Sequence, residues 1–160
     1  MNIILICALT KNRVIGKDNK LLWHIPEDLQ HFKDMTRSKV VVMGDVTYES
    51  IIGYIGKPLP NRQNVVLSFD KNYKNKVPDE VEVYHSIDDA VKAHKGDDIF
   101  FGGGASIYKQ SIELADTLYI THVHQTVDGD TFFPEIDPKE WNETEREDHE
   151  KFSFVTYKRK

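Results

Sequence analysis

The sequence has few of the residues that mark secreted, fibrous or low-complexity proteins. It contains one cysteine, Cys7, among 160 residues, so no disulfide can form within the chain. This is typical of a reducing compartment, and we expect a cytoplasmic protein. Nine glycines and six prolines are too few for a collagen-like or low-complexity chain.

The sequence also lacks long apolar segments. The most apolar early run, residues 3–9, is far shorter than the ~20 residues that a membrane helix needs. No basic segment precedes this run and no small-residue cleavage site follows it, so a signal peptide is not indicated. The run is typical of a buried strand.

An excess of basic residues is missing as well. Lys and Arg number 21 against 26 Asp and Glu, which gives a net charge of −5. Because a nucleic-acid binder or a membrane-surface protein needs a basic face, we expect neither as a partner. The 11% of aromatic residues excludes global disorder, and the length suits one domain over residues 1–160.

Apolar runs alternate with helical patterns along the chain. Such alternation is typical of an α/β fold. We predict a mostly parallel central sheet of about eight strands, flanked by about four helices. The last strand follows another strand directly, so we expect it to be antiparallel. The predicted strands are 2–9, 39–43, 64–68, 81–84, 98–101, 116–124 and 152–158, and the predicted helices are 26–36, 45–51, 87–95 and 105–115.

The predicted helix 26–36 places a carboxylate beside an aromatic ring. Pro26 suits the first helical position, and Asp28 falls in the first turn. Asp28 and Phe32 lie one turn apart and share a face. Asp28 can be a ligand-binding group or a first-turn charge that faces water, and this segment alone favours the second interpretation.

Two strand-to-helix turns, at residues 40–47 and 99–108, are rich in glycine at the point where the helix begins. Backbone N–H groups at a helix start can hold an anion, and glycine permits its close approach. Neither turn fits the G-x-G-x-x-G fingerprint of dinucleotide-binding folds. The pair favours a nucleotide modestly over two tight connections without a ligand.

Other single residues give weaker signals. Trp23 ends a long polar loop at 10–25 and is either a core anchor or a ligand contact. Arg62 follows a proline-rich turn, where it can bind a carboxylate through two N–H groups or remain solvated. His122 and His124 share one strand face, but a third ligand is not evident, so we expect no metal.

Several motifs, taken in order, resemble dihydrofolate reductase of the bacterial chromosomal type. They cover the chain up to Pro134, after which only Trp141 and the final strand match. The motifs are Arg13-Val14-Ile15-Gly16, Leu22-Trp23-His24-Ile25-Pro26-Glu27-Asp28-Leu29 with Phe32, Val42-Met43-Gly44 with Thr47-Tyr48-Glu49-Ser50-Ile51, Gly56-Lys57-Pro58-Leu59-Pro60-Asn61-Arg62, Gly103-Gly104 with Ile107-Tyr108, Tyr119-Ile120-Thr121-His122, and Asp128-Gly129-Asp130-Thr131 with Phe133-Pro134.

The resemblance implies reduction of 7,8-dihydrofolate by NADPH, with hydride transfer to C6 and protonation at N5 of the pterin. Asp28, Thr121 and Trp23 would be the catalytic residues: Asp28 would grip the pterin, Thr121 would hydrogen-bond Asp28, and Trp23 would order a water molecule. Arg62 would take the glutamate α-carboxylate of the substrate. The implied substrate-binding set is Ile6, Cys7, Asp28, Phe32, Ile51, Arg62 and Thr121.

The resemblance also implies a cofactor site. Glycine backbones with Thr47 would hold the pyrophosphate, and Ala8, Ile15 and Tyr108 would line the nicotinamide pocket. The loop 10–25 would be a lid steadied by the Gly129 loop. The implied cofactor-binding set is Ala8, Ile15, Gly16, Asn19, Gly44, Asp45, Val46, Thr47, Leu67, Ser68, Phe69, Gly103, Gly104, Ala105, Ser106, Ile107 and Tyr108.

The sequence departs from the pattern of this family in four places. Asp45 stands where the family has an arginine for the cofactor 2′-phosphate, which makes NADH an alternative cofactor. Residues 52–55 are an insertion, Leu22 replaces a proline, and the segment between Trp141 and Phe152 is short.

Two other functions fit parts of the sequence. A pyrimidine reductase of the riboflavin pathway would share the glycine-rich turn but lack Trp23, Asp28 and Arg62 in register. A non-enzymatic nucleotide-binding α/β module would explain the glycines alone. The resemblance favours the dihydrofolate reductase, which we expect to act as a monomer.

Overall fold

A computed structural model describes residues 2–16 and 25–160 of the chain. Eight strands form one sheet in the order β5-β4-β3-β6-β1-β7-β10-β9, and a second, two-stranded sheet joins β2 to β8. The strands are β1 (Ile3–Thr10), β2 (Val14–Gly16), β3 (Val40–Gly44), β4 (Gln63–Leu67), β5 (Glu82–Tyr84), β6 (Ile99–Phe101), β7 (Thr117–Val123), β8 (Thr131–Phe132), β9 (Trp141–Asp148) and β10 (Phe152–Arg159).

The first six strands in this order, β5 to β7, run parallel to one another, and β10 runs antiparallel to both of its neighbours, β7 and β9. The predicted α/β architecture is therefore confirmed. Strand β1 lies at the centre, where Ile3 pairs with Ile99 and Ile4 pairs with Thr117. It is buried on both faces, which explains its continuous apolar sequence.

Four helices flank the sheet in the described part of the chain: α1 (Pro26–Thr36), α2 (Asp45–Ile55), α3 (Ile87–Ala93) and α4 (Ala105–Ser111). Short 3-10 turns occupy Tyr73–Lys76 and Ile112–Leu114. Apolar residues of α1 and α2 pack with Ile4 and Ile6 of β1, whereas those of α3 and α4 pack with Leu5 and Cys7. The alternation along β1 thus divides the core into two layers, one on each face of the sheet.

Helix α2 is one turn longer than the predicted helix 45–51. The inserted residues 52–55 continue the helix, which ends where Gly56 adopts a left-handed conformation (φ 74°) and donates its N–H to the Ile52 carbonyl. The two apolar residues at 51–52 are too few to indicate from sequence that the helix continues to Ile55. Tyr54, at 85% exposure, therefore projects from the last turn into solvent.

Three strands were not predicted, and the predicted helices 87–95 and 105–115 were too long, since the first ends at Ala93 and the second at Ser111. Strands β2 and β8 have only three and two residues, too short for a period-2 pattern. Strand β9 is an edge strand whose residues after Trp141 are exposed and mostly charged, so its sequence shows no buried face. The predicted helix 105–115 ends at Ser111, because residues 112–114 tighten into a 3-10 turn.

Within residues 2–16 and 25–160, no helix combines the length and apolar character that crossing a bilayer would require.

Candidate active site

Asp28 lies in the first turn of α1 and points towards the sheet. Its Oδ1 accepts a hydrogen bond of 2.6 Å from Oγ1 of Thr121, a buried residue of β7. Glu27, the other acidic residue of this turn, is exposed. The water-facing interpretation that the segment alone favoured is therefore not what the structure shows for Asp28.

Burial changes the acidity of this carboxyl. Loss of solvent raises the pKa of Asp28 above its ordinary value of 3.8, while the Thr121 hydrogen bond and the charge of His31 oppose that rise. Asp28 thus keeps its proton to a higher pH than a solvated aspartate does. The carboxyl group therefore changes its protonation state closer to neutral pH than a solvated aspartate does.

The walls beside Asp28 are apolar. Ile6 of β1, Phe32 of α1 and Ile51 of α2 belong to the same hydrophobic layer, so the structure brings these expected substrate contacts together. Leu29 is 45% exposed one residue after Asp28, and sequence reasoning gave it no role. Cys7, by contrast, packs its side chain into the opposite layer, where burial raises the pKa of its thiol to about 12.

Arg62 precedes β4, and its guanidinium group is held against the end of α1. Nε donates to Oγ1 of Thr36 over 2.7 Å, Nη2 donates to the Lys33 carbonyl over 2.5 Å, and Nη1 donates to the Pro60 carbonyl. A guanidinium has five N–H groups, so one on each terminal nitrogen has no partner among these contacts. That pair is suited to a carboxylate.

The two glycine-rich turns meet at the carboxyl ends of β3 and β6. Gly44 donates its N–H to the Gly103 carbonyl over 2.9 Å, and the Gly103–Gly104 peptide is cis. Neither α2 nor α4 has a side-chain hydrogen bond at its N-cap, Gly44 or Gly104. The first N–H groups of both helices are therefore not occupied by cap side chains. A Cβ on Gly104 would lie 3.6 Å from Oγ1 of Thr47 and narrow this space.

Tyr108 connects the α4 turn to the central strand. Its hydroxyl donates a 2.6 Å hydrogen bond to the Ile6 carbonyl, and its ring lies beside Gly103, where a Cβ would come within 3.3 Å. Gly103 has φ +106°, a conformation that favours glycine. Burial raises the pKa of Tyr108 well above its ordinary value, so the hydroxyl stays protonated. Ile15 and Ile107 pack against the same layer as Tyr108.

The family model for dihydrofolate reductase matches residues 2–159. This chain belongs to the dihydrofolate reductase family. It is 41% identical to dihydrofolate reductase HdrB of Haloferax volcanii over 164 residues, which cover 98% of this chain and 83% of that protein. It is 36% identical to the dihydrofolate reductase of Bacillus subtilis (strain 168), with 97% and 93% of the two chains covered.

Solved structures show the same relationship. The dihydrofolate reductase from Enterococcus faecalis, complexed with NADP(H) and RAB-propyl, superposes with a TM-score of 0.85 at 35% identity. The alignment covers 99% of this chain and 96% of that one. The chain is therefore a dihydrofolate reductase, an oxidoreductase that reduces dihydrofolate with NADPH.

Asp45 of this reductase does not cap its helix. It is the first residue of α2, and its Oδ2 accepts a 2.7 Å hydrogen bond from Oγ of Ser68. Ser68 is buried, whereas the neighbouring Phe69 is 94% exposed. An aspartate at the start of a helix can also serve as a cap, but these contacts give that role of Asp45 no support. His85, to which the sequence analysis gave no role, places its Nδ1 2.7 Å from the carbonyl oxygen of Ser68.

The remaining residues expected to bind the cofactor lie partly within and partly outside the described residues. Val46 and Ser106 are exposed, Leu67 is buried, and Ala8 and Ala105 are half-buried. Trp23 and Asn19, with the departure at Leu22, fall in residues 17–24, which the structure does not describe. Across the described residues, no group of three or more His, Cys, Asp or Glu could hold a metal; His122 bonds to Tyr157 and His124 to Ser153.

The Gly129 loop packs on the strand that leads into residues 17–24. A Cβ at Gly129 would lie 2.2 Å from Cγ1 of Val14 and 2.8 Å from the Gly16 carbonyl oxygen. Val14 is fully buried, so neither neighbour can yield easily. The loop can approach β2 this closely only because residue 129 has no side chain.

Replacing Gly129 with Ala is expected to destabilise the reductase by about 1–3 kcal/mol, the range for overpacking. It should also weaken NADPH binding, because the substitution would displace β2, which carries Ile15 and Gly16, two of the residues expected to contact the cofactor. Urea unfolding and fluorescence titration with NADPH measure the two effects. Gly53→Ala is the matched control, because a Cβ there meets nothing within 4 Å. Equal stability of the two variants would contradict the argument.

Proposed function

We propose that Asp28 is the proton-linked group of the reductase reaction, the conversion of 7,8-dihydrofolate to 5,6,7,8-tetrahydrofolate for one-carbon metabolism. The observation that carries this proposal is the hydrogen bond that Thr121 donates to Asp28, on the side of the sheet where Ile6, Phe32 and Ile51 form an apolar layer and where we place the substrate cleft. Thr121 orients one Asp28 oxygen, and the remaining acceptor sites of the carboxylate would meet the substrate. They suit the adjacent N–H groups of a pterin amidine edge.

The remaining substrate contacts follow from the walls of this cleft. Ile6, Phe32 and Ile51 would pack on the pterin and aminobenzoyl rings, and the backbone of Cys7 would pass beside the pterin. Arg62 would hold the glutamate α-carboxylate through its two remaining N–H groups. We expect the proton to reach N5 through a water molecule rather than directly from Asp28, and Trp23 would order that water.

The two glycine-rich turns fit the cofactor. NADPH supplies the hydride for C6 when it is bound. The uncapped N–H groups at the starts of α2 and α4 suit its pyrophosphate, with Thr47 as a further donor. Ala8, Ile15 and Tyr108 would line the nicotinamide pocket, and the adenosine would lie towards Ser68 and Phe69. Gly16, Asn19, Val46, Leu67, Ala105, Ser106 and Ile107 complete the proposed set.

We further propose that this reductase also accepts NADH, because Asp45, which is hydrogen-bonded to Ser68, stands where the family pattern has an arginine. A carboxylate repels a 2′-phosphate but accepts a hydrogen bond from a ribose hydroxyl. Lys76, a cation close enough to interact with Asp45, is paired with Asp70 at 2.8 Å. The preference for NADPH over NADH should therefore be weak.

Replacing Asp45 with Arg is expected to raise the NADPH preference by roughly tenfold to 150-fold, since one charge-assisted hydrogen bond contributes about 1.5–3 kcal/mol. The measurements are kcat/KM for NADPH and NADH and, independently of activity, the Kd of each from fluorescence quenching. Asp45→Asn, which removes the charge without adding one, should give a smaller change. A strong preference in the parent that Arg leaves unchanged would refute this role.

The reaction itself is tested by oxidation of NADPH and NADH with and without dihydrofolate, followed by absorbance. Dihydrofolate-dependent oxidation is the expected result. Oxidation only with a riboflavin-pathway pyrimidine, or binding without oxidation, would favour the two alternatives. We also propose one domain over residues 1–160, acting as a cytoplasmic monomer on small molecules, without nucleic-acid or membrane partners.

A further inference from the structure

A histidine lies one turn along α1 from Asp28, outside the substrate cleft. The His31 ring stacks face to face on Phe154 of β10, with ring centroids 4.0 Å apart and planes 14° apart. This stack borders a groove of about 420 Å³ between α1 and the strands β9 and β10. His31 is thus fixed in position by an aromatic contact, and its ring remains partly open to water through the groove.

Charged groups face His31 from α1 and from the edge of the sheet. Asp28 and Asp34 come from α1, Glu147 comes from β9, and all three attract a proton to the imidazole. Glu145 and Arg146 of β9 and Tyr119 of β7 also line the groove. Glu147 hydrogen-bonds His149 over 2.6 Å, and His149 contacts the edge of Phe154 from the hairpin.

His31 and Asp28 are neighbours in space, because their contacts Phe154 and Thr121 are paired across β10 and β7. Each of the two groups therefore influences the titration of the other. Burial lowers the pKa of His31 from 6.5, and Asp28 opposes that change. Burial raises the pKa of Asp28 from 3.8, and His31 opposes that change. The two pKa values thus move towards one another, and each group favours the charged form of the other.

We propose that His31 is a positioning residue that acts electrostatically on Asp28, so that an imidazole outside the cleft sets the pH range over which the reductase works. This inference rests on the role proposed for Asp28. An imidazolium one turn away stabilises the ionised carboxyl and so promotes loss of its proton. Phe154 holds the ring in place for this interaction.

The test is the pH profile of kcat/KM in His31→Phe and His31→Gln. Phe keeps a flat ring on Phe154 but carries no charge, and Gln removes both ring and charge. In both variants Asp28 should retain its proton to a higher pH. The part of the profile in which activity falls with rising pH should therefore shift to higher pH by about half a pH unit or more. Unchanged profiles in both variants would overturn the proposal.

His149→Gln is the matched control, because His149 contacts Phe154 on the side of the hairpin rather than on α1. It should leave the profile unchanged, and an equal shift in this variant would show a packing effect and overturn the proposal.

A second measurement needs no activity: the Asp28 carboxyl carbon is titrated by NMR in the parent and in His31→Phe. An upward shift of the Asp28 titration supports the inference, and coincident curves overturn it. Failure of Asp28 as the proton-linked group would appear differently, as an Asp28→Asn variant with near-full turnover, whatever the NMR titration shows.

Discussion

Replacing Asp28 with Asn is expected to lower turnover at neutral pH by on the order of 10²-fold or more, the scale of general acid–base assistance. The amide keeps the shape of the carboxyl but cannot change protonation state. In the parent, activity should fall as pH rises through the titration of Asp28, whose pKa lies above that of a solvated aspartate. This limb of the pH profile should be lost in the variant.

The matched control is Glu27→Gln, which removes the exposed neighbouring charge in the same helical turn. It should leave turnover nearly unchanged. Steady-state kinetics across pH measures both variants. Near-full turnover of Asp28→Asn at neutral pH would show that Asp28 is not the proton-linked group.

The same substitution should stabilise the fold. Because the pKa of Asp28 is raised on folding, the native state binds more protons than the unfolded state, whose ordinary value is 3.8. Stability is therefore lost as pH rises from about this value through the folded-state pKa. Asn avoids that loss, so its advantage in free energy of unfolding should be absent at low pH and reach its maximum above the folded-state pKa. Urea unfolding across this range measures it.

Replacing Arg62 with Ala is expected to raise KM for dihydrofolate by roughly 10²-fold or more with little change in kcat. The reason is the loss of a two-pronged, charge-assisted contact worth about 1.5–3 kcal/mol per bond. A pterin without the glutamate tail should be reduced almost as well by the variant as by the parent.

Arg62 also bonds three groups of the fold, so its loss should lower stability as well as affinity. Thermal unfolding of Arg62→Ala and Arg62→Lys separates the two effects. Lys keeps the positive charge but lacks the paired N–H groups of the guanidinium, so it should recover the affinity for dihydrofolate only in part. Equal losses on substrates with and without the tail would mean that Arg62 serves the fold alone.

The sequence predicted the strands that are buried on both faces, because their apolar runs are continuous. It did not predict β9, since Asn142 to Asp148 show exposed and mostly charged side chains on an edge. The end of α2 was also missed, because Gly53 within residues 52–55 hides a helical pattern.

The candidate site likewise contains contacts that the sequence predicted and contacts that it did not. A resemblance of motifs associated Asp28 with Thr121, and the two side chains lie 2.6 Å apart. The Asp45–Ser68 hydrogen bond and the His31–Phe154 stack join residues that are distant in sequence and follow no motif. Only the packing of α1 on β10, and of α2 beside the end of β4, brings these pairs together.

The central position of β1 has a kinetic consequence. This strand is the earliest of the sheet in the sequence, yet its partners begin at Ile99 on one side and at Thr117 on the other. Closing loops of that length is entropically costly, and a domain dominated by such pairings folds slowly. During synthesis, the strand that carries Ile6 has no lateral partner until most of the chain has been made. Until then the backbone N–H and C=O groups at both edges of β1 are unpaired and can pair with another chain, so the nascent strand must be protected from self-association.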